Sequence, residues 1–162
     1  MIVIVIIGVV YTLAVGKLQK VSEQKMEPSF LNLKEYLLTF LKDDAQNARL
    51  VCLDDCSECT VYVDDEKIQS SKSFFDSSVE VYHYESLQGM VREKEDVFFN
   101  EENVQESLCF SFSVNKSGIS DQVIVAYKEK AYDYTTFFET TGVYDSIEDI
   151  AELKDEINQE VK

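Results

Sequence analysis

Four cysteines, a single histidine and several groups of acids are the side chains of this 162-residue chain whose types could do chemistry. Cys52, Cys56 and Cys59 fall in a Cys-x3-Cys-x2-Cys run, and Cys109 stands far downstream. An even count suits disulfides where a chain matures in an oxidising compartment. Cys56 and Cys59 bracket two residues between two strand-like runs, where cross-strand Cβ atoms come within bonding reach, so Cys56–Cys59 is the first pairing expected. A Cys52–Cys109 bond is the second candidate, although both lie in strand-like runs that could equally bury free thiols. Zinc is the rival reading, but its sites favour paired Cys-x2-Cys units, and only one such unit is present.

His83 sits in the alternating run Val79-Glu80-Val81-Tyr82-His83-Tyr84-Glu85. A catalytic base needs a nucleophile and an orienting carboxylate, and no Gly-x-Ser-x-Gly elbow supplies the former. The chain also lacks a phosphate-cradling glycine loop and a His-Glu-x-x-His pair. His83 is therefore expected to be structural. Acids cluster at Asp54/Asp55, Asp64/Asp65/Glu66, Glu93/Glu95/Asp96 and Asp145/Glu148/Asp149. Calcium would accept such oxygens, but none has the spacing of an EF-hand loop, and a solvated surface is the expectation. No catalytic residue, cofactor or metal is expected. With 15 basic against 31 acidic side chains the formal net charge is −16, which argues against nucleic acid and against anionic lipid as partners.

The charge is unevenly placed. Met1 to Gly16 carry none, and every charged side chain follows. This opening run, Met-Ile-Val-Ile-Val-Ile-Ile-Gly-Val-Val-Tyr-Thr-Leu-Ala-Val-Gly, has three readings. As a buried strand it is too long for an ordinary one. As a cleavable signal peptide it has a small-x-small site at Ala14-Val15-Gly16 but no basic stretch before it. As a helix it reaches about 24 Å, short of the roughly 30 Å hydrocarbon core, so it would be a membrane helix lacking its first turns.

Met1 to Gly8 resemble the N-terminal segment of type IV pilins and of the pseudopilins of type II secretion. After processing, members of that family open on Phe-Thr-Leu-x-Glu and continue Met/Leu-Ile-Val-Ile-x-Ile-Ile-Gly. The resemblance implies that the processed Phe and the assembly Glu lie just upstream of Met1. It implies a prepilin-type, methylated N-terminal segment, single-pass in the bacterial inner membrane with its head in the periplasm, and a periplasmic or extracellular filament after assembly. Ile2, Val3, Ile4, Val5, Ile6, Ile7, Gly8, Val9, Val10 and Leu13 would then pack first against lipid and later against sister subunits. Apolar surroundings in both states suit an element that is apolar all round, and Gly8 permits close approach. The implied partners are other pilin or pseudopilin subunits, the inner membrane and prepilin peptidase. Many family members carry a proline further along, where this chain has Ala14-Val15-Gly16.

The rest of the chain reads as the head. Lys17 to Glu27 is polar, with Leu18, Val21 and Met26 at helical spacing. Pro28 marks a break. Asn32 and Glu35 fit a capping box, and Leu33, Leu37, Leu41, Ala45 and Ala48, flanked by Tyr36 and Phe40, predict a helix of about four turns. Strands are expected over Leu50–Leu53, Thr60–Val63, Val79–Glu85, Val97–Phe99, Leu108–Val114, Val123–Tyr127 and Ala131–Phe138, with a turn at Asn115-Lys116-Ser117-Gly118. Asp145 to Lys162 predicts a terminal helix capped by Asp145 or Ser146, with an apolar stripe of Ile147, Ile150, Leu153, Ile157 and Val161. Leu37 to Asp65 also resembles, more weakly, minor pseudopilins of the H type and FimT-like minor pilins. The expected fold is α+β: a long N-terminal helical spine, a mostly antiparallel β head and a C-terminal helix over about 145–161. Residues 1–27 form the membrane or filament helix with its polar extension, and residues 28–162 the head. The expected function is that of a structural, non-enzymatic subunit. A membrane-anchored or secreted periplasmic binding module is the alternative.

Overall fold

A computed structural model describes residues 26–42, 44–94, 96–99, 103–136 and 140–160. Over these residues the chain is built on strands. In chain order come α1 (Leu33–Leu38), β1 (Asn47–Leu53), β2 (Glu58–Val63), β3 (Glu66–Lys72), β4 (Glu80–Glu85), β5 (Gly89–Arg92), β6 (Asp96–Phe99), β7 (Gln105–Asn115), β8 (Ile124–Tyr127), β9 (Lys130–Asp133), β10 (Gly142–Tyr144) and α2 (Ile147–Glu160). The strands form two five-stranded antiparallel sheets, ordered β3-β2-β1-β7-β6 and β10-β9-β8-β4-β5.

This architecture corrects the expected helical spine with a β head. Two antiparallel sheets dominate the described residues, and the helix before them is a single six-residue element. The part of the expected spine that falls on residues 1–25 lies outside the described residues. The four-turn helix expected from Leu33 stops at Leu38. Thr39, Phe40 and Leu41 donate their amides three residues back, to Tyr36, Leu37 and Leu38, which winds the last turn tight. Thr39 Oγ1 also donates to the Tyr36 carbonyl at 2.6 Å. Ala48, read as the last helical contact, is instead a buried strand residue opposite Val63 and Val114. The expected capping box does not form. Asn32 Oδ1 instead accepts from the amide and hydroxyl of Ser29, and the residue makes no side-chain cap to α1.

Alternation explains most of the core. Leu50 and Cys52 on β1, Cys59 and Val61 on β2, and Phe110, Phe112 and Val114 on β7 all point to one face of the first sheet. Against that face lie Leu33 and Leu37 of α1 and one face of the second sheet, including Val125, Tyr127 and Tyr132. Phe30 is the hub, with its ring 5.0 Å from both Phe74 and Phe75 and 5.7 Å from Phe110. The other face of the second sheet, with Ile124, Ala131, Tyr82 and Tyr144, is covered by Ile147 and Ile150 of α2. The described chain is thus three layers: sheet, sheet, helix.

The terminal helix starts with a reciprocal cap: Asp149 N–H donates to Ser146 Oγ at 3.2 Å, and Ser146 N–H to Asp149 Oδ2 at 3.0 Å. Glu148 and Asp149 place negative charge in its first turn, where the helix dipole favours it. Of its expected apolar stripe, Ile150 is buried, while Leu153 and Ile157 remain exposed.

Candidate functional site

All four cysteines are oxidised, in a pairing that differs from the expected one. Cys52 bonds Cys59 and Cys56 bonds Cys109, so neither Cys56–Cys59 nor Cys52–Cys109 forms. The register of the β1–β2 hairpin is the reason. It sets Cys52 directly opposite Cys59, with their Cα atoms 4.2 Å apart, a close cross-strand position at which the backbone groups point away from each other. Cys56 lies in the turn with φ +61, is fully buried, and reaches β7 instead of the neighbouring strand. The two bonds tie the hairpin tip both to itself and to the sheet's fourth strand.

Beside this tie a cleft of about 400 Å³ opens between the two sheets. Val79, Val81 and Phe110 supply its apolar wall, Cys109 and Ser111 its β7 edge, and Lys94 stands at the lip. Most charge around it is already engaged. Arg92 pairs with Glu80 at 2.9 Å, and His83 Nε2 lies 3.4 Å from Glu93 Oε1. The other ring nitrogen of His83 lies 3.4 Å from the Gln122 carbonyl. His83 is thus held between a backbone oxygen and a carboxylate on a half-exposed strand face. Among the described residues, no group of three or more His, Cys, Asp or Glu could hold a metal ion.

A second polar cluster lies inside the fold. Asp133, 3% exposed, accepts from Lys154 Nζ at 2.8 Å and from the amide and hydroxyl of Thr135 at 2.8 and 2.6 Å. Lys154 also donates to Thr135 Oγ1. This cluster locks α2 onto β9. Next to it Tyr134, buried, donates its hydroxyl to the Phe30 carbonyl. Burial, with the Tyr132 and Glu35 charges adding to it, holds that hydroxyl far above its ordinary value.

The residues expected to pack in membrane or filament, Ile2 to Val10 and Leu13, lie outside the described residues. Among the described residues no helix is long and apolar enough to cross a membrane. The Glu80–Arg92 and Asp133–Lys154 pairs had no marker in the sequence, because each depends on strand or helix register. No protein-family model, no curated protein and no solved structure matches the chain.

Proposed function

We propose that the chain is a structural subunit, a minor pilin or pseudopilin, of a type II secretion or type IV pilus or competence filament. The observation that carries this reading is the uncharged, Ile- and Val-rich run from Met1 to Gly16, joined in one chain to a head closed by two disulfides. An uncharged run of that kind is costly in water and at home in lipid or among like segments. Four oxidised cysteines suit a head that matures outside the reducing cytosol. The described residues of the head form two packed antiparallel sheets, which suits a subunit that presents a rigid surface to its neighbours. The described residues hold two antiparallel sheets and no long helical spine, which departs from what the pilin resemblance implied, so this reading rests on the opening segment and on the chemistry of the head.

A photoreactive amino acid placed at Ile6 of the full chain, expressed in a bacterium with a type II secretion machine, tests the reading. Cross-links to pseudopilin subunits from Ile6, and none from a probe at the exposed Leu87, are expected. Ile6 cross-links confined to lipid would favour the second reading, a membrane-anchored binding module with no filament role, for which the cleft is the favouring feature. The absence of both kinds of cross-link would refute membrane and filament packing together.

A further inference from the structure

Strand β7 is paired along one side by β1, and on the other side its cover among the described residues is interrupted. At its start β6 pairs with it, from Phe99 opposite Gln105 to Asp96 opposite Leu108. At its end the chain folds back beyond the turn: Val114 bridges Ser120, and Asp121 N–H donates to the Ser113 carbonyl at 3.1 Å. The Asp121 carboxylate also accepts from Ser113 N–H at 2.7 Å, so the fold spends a side chain to finish this edge. Between these covers lie Cys109 to Phe112. Cys109 is the extra residue of a bulge against β1.

Ser111 is the unfinished position. The Cys52–Cys59 pair turns its backbone groups away from each other, so Cys52 faces β7 and Phe110 faces Cys52. Alternation then turns the N–H and C=O of Ser111 to the open side, in step with those of Ser113, which Asp121 satisfies. Among the described residues nothing pairs with Ser111 there, although it is half-buried. The cleft of about 400 Å³ opens at this point and is lined by Ser111. Buried or half-buried backbone groups without partners are rare in native folds.

We propose that this gap is a docking slot for an extended segment of a partner protein, which adds a short strand to β7 in line with β6. The gap spans about 13 Å at roughly 3.3 Å per residue, the length of a few residues of strand. A paired donor and acceptor at Ser111 is what strand addition uses, with side-chain pockets adding selectivity. Val79 and Val81 supply one apolar wall for alternate side chains of the segment. The formal charge of −16, together with a cleft lining in which Asp54, Glu80 and Glu93 outnumber Arg92 and Lys94, makes a net-basic segment the complementary occupant and sets a second copy of this chain at a disadvantage. The slot depends on the register of β7 alone, and its test stands apart from that of the filament reading.

The test is amide hydrogen exchange on the intact, oxidised protein, with fluorescein-labelled Lys-Thr-Val-Thr-Val-Lys as probe. In the free protein the Ser111 amide should exchange at least tenfold faster than those of Phe110 and Phe112, which face β1. Saturating probe should slow Ser111 at least tenfold, and N-methylation of both probe threonines should weaken binding at least tenfold. A Ser111 amide as slow as its neighbours in the free protein would overturn the proposal. So would no binding at millimolar probe, equal binding of the N-methylated probe, or Ser111 protection that rises with protein concentration alone, which would make a second copy the occupant.

Discussion

Cys52 and Cys59 face each other across β1 and β2 with Cα atoms 4.2 Å apart, and the bond between them closes a separation of only seven residues. The Cys56–Cys109 bond closes a separation of 53. In the chain-entropy description the longer loop stabilises more, about 4 kcal/mol against about 2 kcal/mol. Urea unfolding should therefore show the Cys56→Ala/Cys109→Ala variant less stable than Cys52→Ala/Cys59→Ala by about 2 kcal/mol. Equal losses would show that chain entropy is not what distinguishes the two bonds.

Lys154 is the cationic partner of the buried Asp133 carboxylate. Lys154→Met removes that cation and leaves the acid with Thr135 alone. A loss of about 3–5 kcal/mol is expected, because breaking a buried pair strands a charge. Replacing the pair together, Asp133→Asn with Lys154→Met, should recover part of it. Denaturant midpoints of the two variants check this. A loss below about 1 kcal/mol for Lys154→Met would mean that water reaches the pair.

Tyr134 provides a pH signature. Burial raises its hydroxyl far above the ordinary value, and burial raises Tyr36 as well. A group whose native value is raised stabilises the fold fully below its unfolded value, about 10 for tyrosine. That contribution is lost as pH climbs above about 10 towards the native value. Ultraviolet titration should show Tyr134 still protonated near pH 11 while exposed tyrosines ionise, with stability falling over the same range. Tyr134→Phe strands the Phe30 carbonyl and should cost about 1–3 kcal/mol.

Ser146 caps α2 through its hydroxyl. Ser146→Ala should cost about 1 kcal/mol, and Ser146→Asp should retain most of the stability. Thermal melts followed by circular dichroism would show the order wild type, Asp variant, Ala variant. An Ala variant that melts with wild type would mean that packing of Ile150 alone holds the helix.

The sequence made visible what alternation and caps can show. Val79–Glu85, Leu108–Val114 and the helix after Ser146 stand where their patterns place them, within a few residues. The spacing of Leu41, Ala45 and Ala48 mimics a helix beyond Leu38, whereas Asn47–Leu53 is a strand inside the first sheet with Leu50, Val51 and Cys52 buried in succession. Strand β3, Glu-Lys-Ile-Gln-Ser-Ser-Lys, carries no apolar period that would mark it in the sequence, because as an edge strand it is exposed on both faces. The cysteine pairing was hidden because proximity in sequence favoured Cys56–Cys59, whereas the hairpin register placed Cys52 opposite Cys59. The slot at Ser111 arises from a bulge, a strand start and a fold-back together, and none of these is written in local residue types.

The role assigned to Met1–Gly16 is tested most directly by alkaline carbonate extraction of membranes from cells making the full chain, beside the Ile6→Lys/Val10→Lys variant. The wild-type chain should stay in the membrane pellet, and the variant should shift to the supernatant with its head still oxidised and folded. Wild-type chain found wholly in the supernatant would contradict the assignment.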